Sequence, residues 1–140
     1  MYRQQKLKLF GLSIVNVSTR IALDALLTNE NPRITAAFLN AHCVNVARGD
    51  ENYREALGKA DLILPDGIGL ELAARMAGGH FVQNLNGTDL FAPLCREAAR
   101  RGMSIYFLGG QPTIAEKAAA RASSLAEGLN IAGTRHGYFD

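Results

Sequence analysis

Asp66 is the residue best placed to do acid–base work. It lies in Pro65-Asp66-Gly67, straight after the apolar run Leu62-Ile63-Leu64 and straight before a segment of helical periodicity. A carboxylate there is held on a stiff turn, and the positive end of the following helix favours its charged form. Enclosure in a cleft works the other way and raises its basicity. One role for such a group is a general base that takes a proton from an attacking hydroxyl. The other is structural, because aspartate is common in turns and at helix N-termini.

Two glycine-containing turns are candidates for phosphate binding. Gly109-Gly110-Gln111-Pro112-Thr113 joins an apolar run to a helical one. Backbone N–H groups unobstructed by a Cβ can approach a phosphate there, and a helix N-terminus adds partial positive charge. A plain connecting turn fits the same residues. The segment matches neither GxGxxG nor GxxxxGK[ST], which removes support for dinucleotide and P-loop readings. In Gly87-Thr88-Asp89, Thr88 is first of all a helix-capping residue. Arg135 follows a predicted strand, where a guanidinium can meet a phosphate, whereas Arg96, Arg100, Arg101 and Lys117 read as solvated helix faces. His42, His80, His136, Cys43 and Cys95 show no ligand spacing, so the sequence supports no metal site. No Gly-x-Ser-x-Gly elbow or Cys/His pairing points to nucleophilic catalysis.

These residues need strands and helices to position them. Lys6 to Ile14 reads as a strand or short hairpin broken at Gly11, and Ser18 or Thr19 caps a helix to about Thr28. After Asn31-Pro32, the run Ile34 to Leu39 is a strand that stops at the polar residues Asn40 and His42. Asp50 caps a helix through Leu57, Ala60 to Leu64 is a second strand, and a helix covers Ile68 to Met76 before Gly78-Gly79. Phe81 to Thr88 reads as a loop. A helix follows over Asp89 to Arg101, then a strand over Ser104 to Leu108. Thr113 and Glu116 have capping-box spacing at the start of a helix reaching about Glu127, and Leu129 to Gly133 is a last strand. Strands alternating with helices predict an α/β fold: a Rossmann-like parallel sheet with helices on both faces, built from βαβ units. Ligands bind such folds beyond the carboxyl ends of the strands. That rule selects Asn40 to His42, Pro65 to Gly69 and Gly109 to Thr113.

Bulk properties agree with a single soluble domain over residues 1–140. The length suffices for a core, and no apolar run is long enough to span a bilayer. A net charge of +2 is too small to suggest nucleic acid. Met1 to Lys8 is basic, but no secretory cleavage pattern follows. Two cysteines outside any CxxC pair read as reduced, buried thiols of a cytoplasmic protein.

The ordered segments resemble the WecG/TagA/CpsF family of glycosyltransferases. Leu39-Asn40-Ala41-His42, Asp61-Leu62-Ile63-Leu64-Pro65-Asp66-Gly67-Ile68-Gly69 and Asn86-Gly87-Thr88-Asp89-Leu90 carry the likeness. Phe107-Leu108-Gly109-Gly110, Ala115 to Ala119 and Gly137-Tyr138-Phe139 continue it in the same order. The resemblance implies an inverting, metal-independent transfer with no cofactor. A sugar of the N-acetylmannosamine type or a related one would move from a UDP-sugar to an undecaprenyl-diphosphate-linked saccharide in cell-surface polysaccharide or teichoic acid synthesis. It also implies that the protein works in the cytoplasm, at the inner face of the plasma membrane, with peripheral contact through the acceptor. Asp66 matches the family's base, and Asn40 an active-site asparagine expected to touch donor or acceptor sugar. Gly67, Gly69, Gly87, Thr88, Asp89, Gly109, Gly110 and Gln111 fall on segments expected to bind substrate or nucleotide.

The chain departs from the family at Phe38, where threonine is usual, and at Asn84, where arginine is usual. An arginine at position 84 would stabilise the diphosphate leaving group, and Arg135 is the alternative cation for that task. The family also continues past Gly-Tyr-Phe into further strands and a C-terminal membrane-associating part. None of that follows Asp140, so this reading expects a chain lacking the C-terminal part, with oligomerisation or partner contacts covering apolar faces. The competing reading is a catalytically silent nucleotide-binding or interaction domain, and an NAD-dependent oxidoreductase lacks its fingerprint.

Overall fold

The computed structural model describes residues 5–28 and 33–139. The Asn31-Pro32 break and the first residues of the basic start lie outside them. The chain gathers into two compact units, residues 1–87 and 88–140.

The first unit opens with a hairpin, β1 (Lys6–Leu9) and β2 (Leu12–Val15), paired antiparallel. Its two-residue turn has positive φ at both Phe10 (55°) and Gly11 (76°), the geometry that matches the twist of the flanking strands. Helix α1 (Thr19–Leu26) follows. Strand β3 (Ala36–Leu39) then leads to α2 (Ala41–Gly49), α3 (Glu51–Gly58), β4 (Leu62–Pro65) and α4 (Ile68–Met76). Sequence reasoning found no helix over 41–49. Its interior holds β-branched and polar residues, and only Val44 and Ala47 are buried, so its apolar signal is weak. Asn40, read as the end of a strand, is its N-cap. Asp50 caps α3 as expected, accepting the Tyr53 N–H at 3.0 Å.

β3 and β4 are parallel, with Ala36 opposite Leu62 and Leu39 opposite Pro65. All four residues of β4 are buried, as its unbroken apolar run implies. Leu9, Leu12, Ile14, Leu39, Ile63, Leu70 and Phe81 form the centre of this unit's core.

The second unit holds α5 (Gly87–Arg100), β5 (Ser104–Leu108), α6 (Ile114–Leu125) and β6 (Asn130–Arg135). Helix α5 starts one residue before Thr88, which therefore lies inside the helix rather than capping it. Thr113 is the N-cap of α6, but it has φ 78° and makes no side-chain capping bond, so the capping box predicted from spacing is not formed. Ala115, Ala119 and Ala122 give α6 its buried stripe. Cys95, Ala122 and Ala126 form a small core with Phe91, Ile105, Phe107 and Ile131 packed on it. Phe91 and Phe107 meet edge to face at 6.2 Å. β5 and β6 are parallel, and burial alternates along β5, leaving Tyr106 and Leu108 exposed.

The α/β class holds. The described strands pair in three two-stranded sheets, one antiparallel and two parallel.

Candidate active site

The register of β3 on β4 brings two predicted residues together. Leu39 faces Pro65 as the last pair, so Asn40 and Asp66 are the next residues out at the carboxyl ends of neighbouring strands. The Asp66 N–H donates to the Leu39 carbonyl at 2.9 Å, which extends the ladder one step past the strands. Each residue then enters a helix, α2 after Asn40 and α4 after Gly67. A Cβ on Gly69 would lie 3.0 Å from the Ala41 Cβ, so the first turns of these helices pack closely. Two helix N-termini therefore open beside Asp66, an arrangement that favours a negatively charged ligand.

The side chains differ in how they are used. Asn40 Oδ1 accepts the Cys43 N–H at 2.9 Å, so that oxygen is committed to capping α2. The Asp66 carboxylate is partly buried and has no hydrogen-bond or ionic partner among the described residues. The N-cap of α4 is Gly67, with φ 96° and ψ 166°, and that helix has no side-chain cap. The capping role weighed for Asp66 is therefore not formed.

A cavity of about 330 Å³ borders this turn, lined by Pro65, Gly67, Ile68, Glu71 and Arg75 of β4 and α4, and by residues 81–84. Glu71 pairs with Arg75 at 2.7 Å and accepts the Phe81 N–H at 3.0 Å. The Phe81 amide and the Arg75 guanidinium hold the Glu71 carboxyl below its ordinary range. Sequence reasoning missed this pair, although Glu71 and Arg75 have the i,i+4 spacing of a helix ion pair.

The segment read as a loop after α4 forms a wall of the cavity. The Val82 N–H donates to Asn16 Oδ1 at 2.7 Å, and Asn16 Nδ2 to the His80 carbonyl at 3.0 Å. The Thr19 N–H reaches Gln83 Oε1 at 2.8 Å. The Leu85 N–H donates to the Pro65 carbonyl at 3.0 Å, beside β4. Asn84 Oδ1 accepts the Gly67 N–H at 3.0 Å. Gly87 ends the unit within contact distance of the Phe38 ring, 3.6 Å from where its Cβ would stand.

The remaining predicted residues stand in the second unit. Thr88 and Asp89 are exposed on the first turn of α5. The Gly109 N–H donates to the Arg135 carbonyl at 2.9 Å, and the Gly137 N–H to the Gly110 carbonyl at 2.9 Å. Those bonds fasten the glycine turn to the end of β6. They also commit the Gly109 amide to β6 and so remove it from the phosphate cradle expected of this turn, while Gln111 is exposed. The Arg135 guanidinium lies over the Phe139 ring, 4.1 Å from its centre. No group of His, Cys, Asp and Glu able to hold a metal occurs among the described residues.

The pattern of the WecG/TagA/CpsF glycosyl transferase family matches residues 7–140. The chain belongs to this family. Two curated relatives carry the name N-acetylglucosaminyldiphosphoundecaprenol N-acetyl-beta-D-mannosaminyltransferase. The one from Bacillus spizizenii is 30% identical over 92 residues, which is 66% of this chain and 36% of that protein. The one from Bacillus subtilis is 26% identical over 116 residues, 83% of this chain and 42% of that protein. The chain thus spans less than half the length of either relative.

Proposed function

We propose that this chain serves glycosyl transfer from a UDP-sugar, of the N-acetylmannosamine type, to a sugar carried on a polyprenyl diphosphate. The names of the two relatives supply the acceptor class and the transferred sugar. Asp66 is the base. It takes the proton of the acceptor hydroxyl, whose oxygen attacks the anomeric carbon from the side opposite UDP. The new C–O bond forms as the bond to the diphosphate oxygen breaks, and UDP leaves with that electron pair. Attack from the opposite side inverts the anomeric centre. Asn40 contributes its free amide N–H groups to a sugar hydroxyl or carbonyl, and the N-termini of α2 and α4 favour diphosphate charge. Gly110, Gln111 and Arg135 are the second unit's candidates for the nucleotide. The protein meets the membrane surface through its lipid-linked acceptor, and no described helix is long and apolar enough to cross a bilayer.

One observation carries this reading. Asp66 has a carboxylate without a partner among the described residues, on a turn whose Asp66 and Gly67 amides are both bonded and whose Pro65 and Gly67 line the cavity. Turnover of UDP-N-acetylmannosamine with a lipid-diphosphate N-acetylglucosamine acceptor tests it. Asp66→Asn should lower the rate roughly 10²–10⁴-fold with UDP affinity nearly unchanged. A variant within about threefold of the parent removes Asp66 from the chemistry, since general base catalysis contributes far more. The anomeric configuration of the product, read by NMR, decides inversion.

A further inference from the structure

The turn that carries Asp66 is held by a side chain from a distant part of the sequence. Gly67 has no side chain with which to cap α4, and its own N–H points to Asn84 Oδ1 at 3.0 Å. The Asp66 N–H is fixed from the other direction by the Leu39 carbonyl. Asn84 is itself carried on an anchored segment. Its neighbour Gln83 accepts the Thr19 N–H, and its neighbour Leu85 donates to Pro65. Phe81 and Val82 are tied to Glu71 and Asn16. The acceptor that meets Gly67 therefore sits on a frame bonded to α1, α4 and β4, and to Asn16 just after β2.

We infer that Asn84 is a positioning residue. It fixes the Asp66-Gly67 turn through the Gly67 N–H and so sets the direction of the Asp66 carboxylate. The inference rests on the reading of Asp66 as the base. It gives position 84 a different task from the leaving-group contact expected of an arginine there. A guanidinium carries only donors, so it cannot take the Gly67 N–H. An amide oxygen can, and a carboxylate at this position can do the same.

NMR of the isotopically labelled chain tests the contact without requiring turnover. In Asn84→Ala and Asn84→Arg the Gly67 amide proton should move upfield and exchange faster with solvent. Asn84→Asp should keep it at the parental position or further downfield. Order parameters at Asp66 and Gly67 should fall from about 0.85 toward 0.6 in the alanine variant and recover in the aspartate variant. Asn84 is exposed, so these variants leave the core in place. A Gly67 signal unchanged in both the alanine and arginine variants overturns the inference. Kinetics then tests its consequence. Asn84→Ala should lower kcat roughly tenfold to a hundredfold, with KM little changed, and have no further effect in an Asp66→Asn background. If Asp66→Asn is slow but Asn84→Ala turns over like the parent, the positioning role is wrong. If Asp66→Asn itself turns over like the parent, the base assignment fails instead, and the Gly67 signal still decides whether Asn84 holds the turn.

Discussion

Gly67 shows how narrowly the site turn is determined at a single residue. Its φ of 96° and ψ of 166° lie in a region that side chains with a Cβ essentially do not occupy. A Cβ placed there would meet nothing within 4 Å, so the constraint is in the backbone and not in packing. Gly67→Ala should therefore destabilise the chain by about 1–3 kcal/mol through torsional strain alone. Denaturant unfolding checks this, as a lower midpoint with an unchanged slope. A stability equal to the parent would mean that the turn relaxes to another conformation without cost. Position 84 shows the same dependence on atom type, because what reaches Gly67 is an acceptor. Replacing Asn84 by arginine thus exchanges a bond to the turn for added charge.

Asn40 has its structural effect at the level of the element. It ends β3, starts α2, and its Oδ1 satisfies the Cys43 N–H of the helix's first turn. Asn40→Ala should cost about 1 kcal/mol of stability, the usual loss for an N-cap oxygen. Asn40→Asp keeps the oxygen and should keep the stability. If the amide N–H groups also hold a sugar, turnover falls in both variants, and the aspartate variant separates capping from catalysis. Equal stability of parent and alanine variant would mean that water replaces the cap. The anchored segment 81–85 works at the same scale. Its amides and side chains bond to α1, α4 and β4 and to the connecting residues Asn16 and Gly67, which makes a stretch without regular structure into a wall of the cavity.

Among the described residues, each unit carries one acidic side chain whose carboxyl is held low. In the first, Glu71 is lowered by the Phe81 amide and Arg75. In the second, Glu97 is lowered by Arg100 and Arg101, from the ordinary 4.5 to about 2. A carboxyl depressed in the folded state contributes stability above its unfolded value and loses it as pH falls through the folded value. Both contributions should be complete above about pH 4.5, and that of Glu97 should disappear between there and about 2. Carboxyl titration by NMR together with thermal unfolding across this range checks the prediction. Glu97→Gln should flatten the acid limb, and an unchanged limb would show that solvent screens the arginine pair in solution.

From the sequence alone, the α/β class, most strands and helices, and the aspartate turn were legible. Their signals are local: unbroken apolar runs mark β4 and its neighbours, and Pro-Asp-Gly marks a turn between strand and helix. The i,i+4 pair Glu71–Arg75 was equally readable, though unread. Helix α2 was not legible, because two buried residues in nine leave little periodic signal. The register that sets Asn40 beside Asp66 depends on pairing between strands more than twenty residues apart, which no local pattern encodes. Asn84 illustrates the limit most clearly. Sequence reasoning saw there only the absence of an arginine that the family resemblance led one to expect, whereas the folded chain brings its oxygen to Gly67 across a separation of 17 residues. Residue types decided which chemistry was possible. Only tertiary structure decided which oxygen was committed to the backbone and which carboxylate was left free, because hydrogen bonds are made by position in space and not by order in the chain.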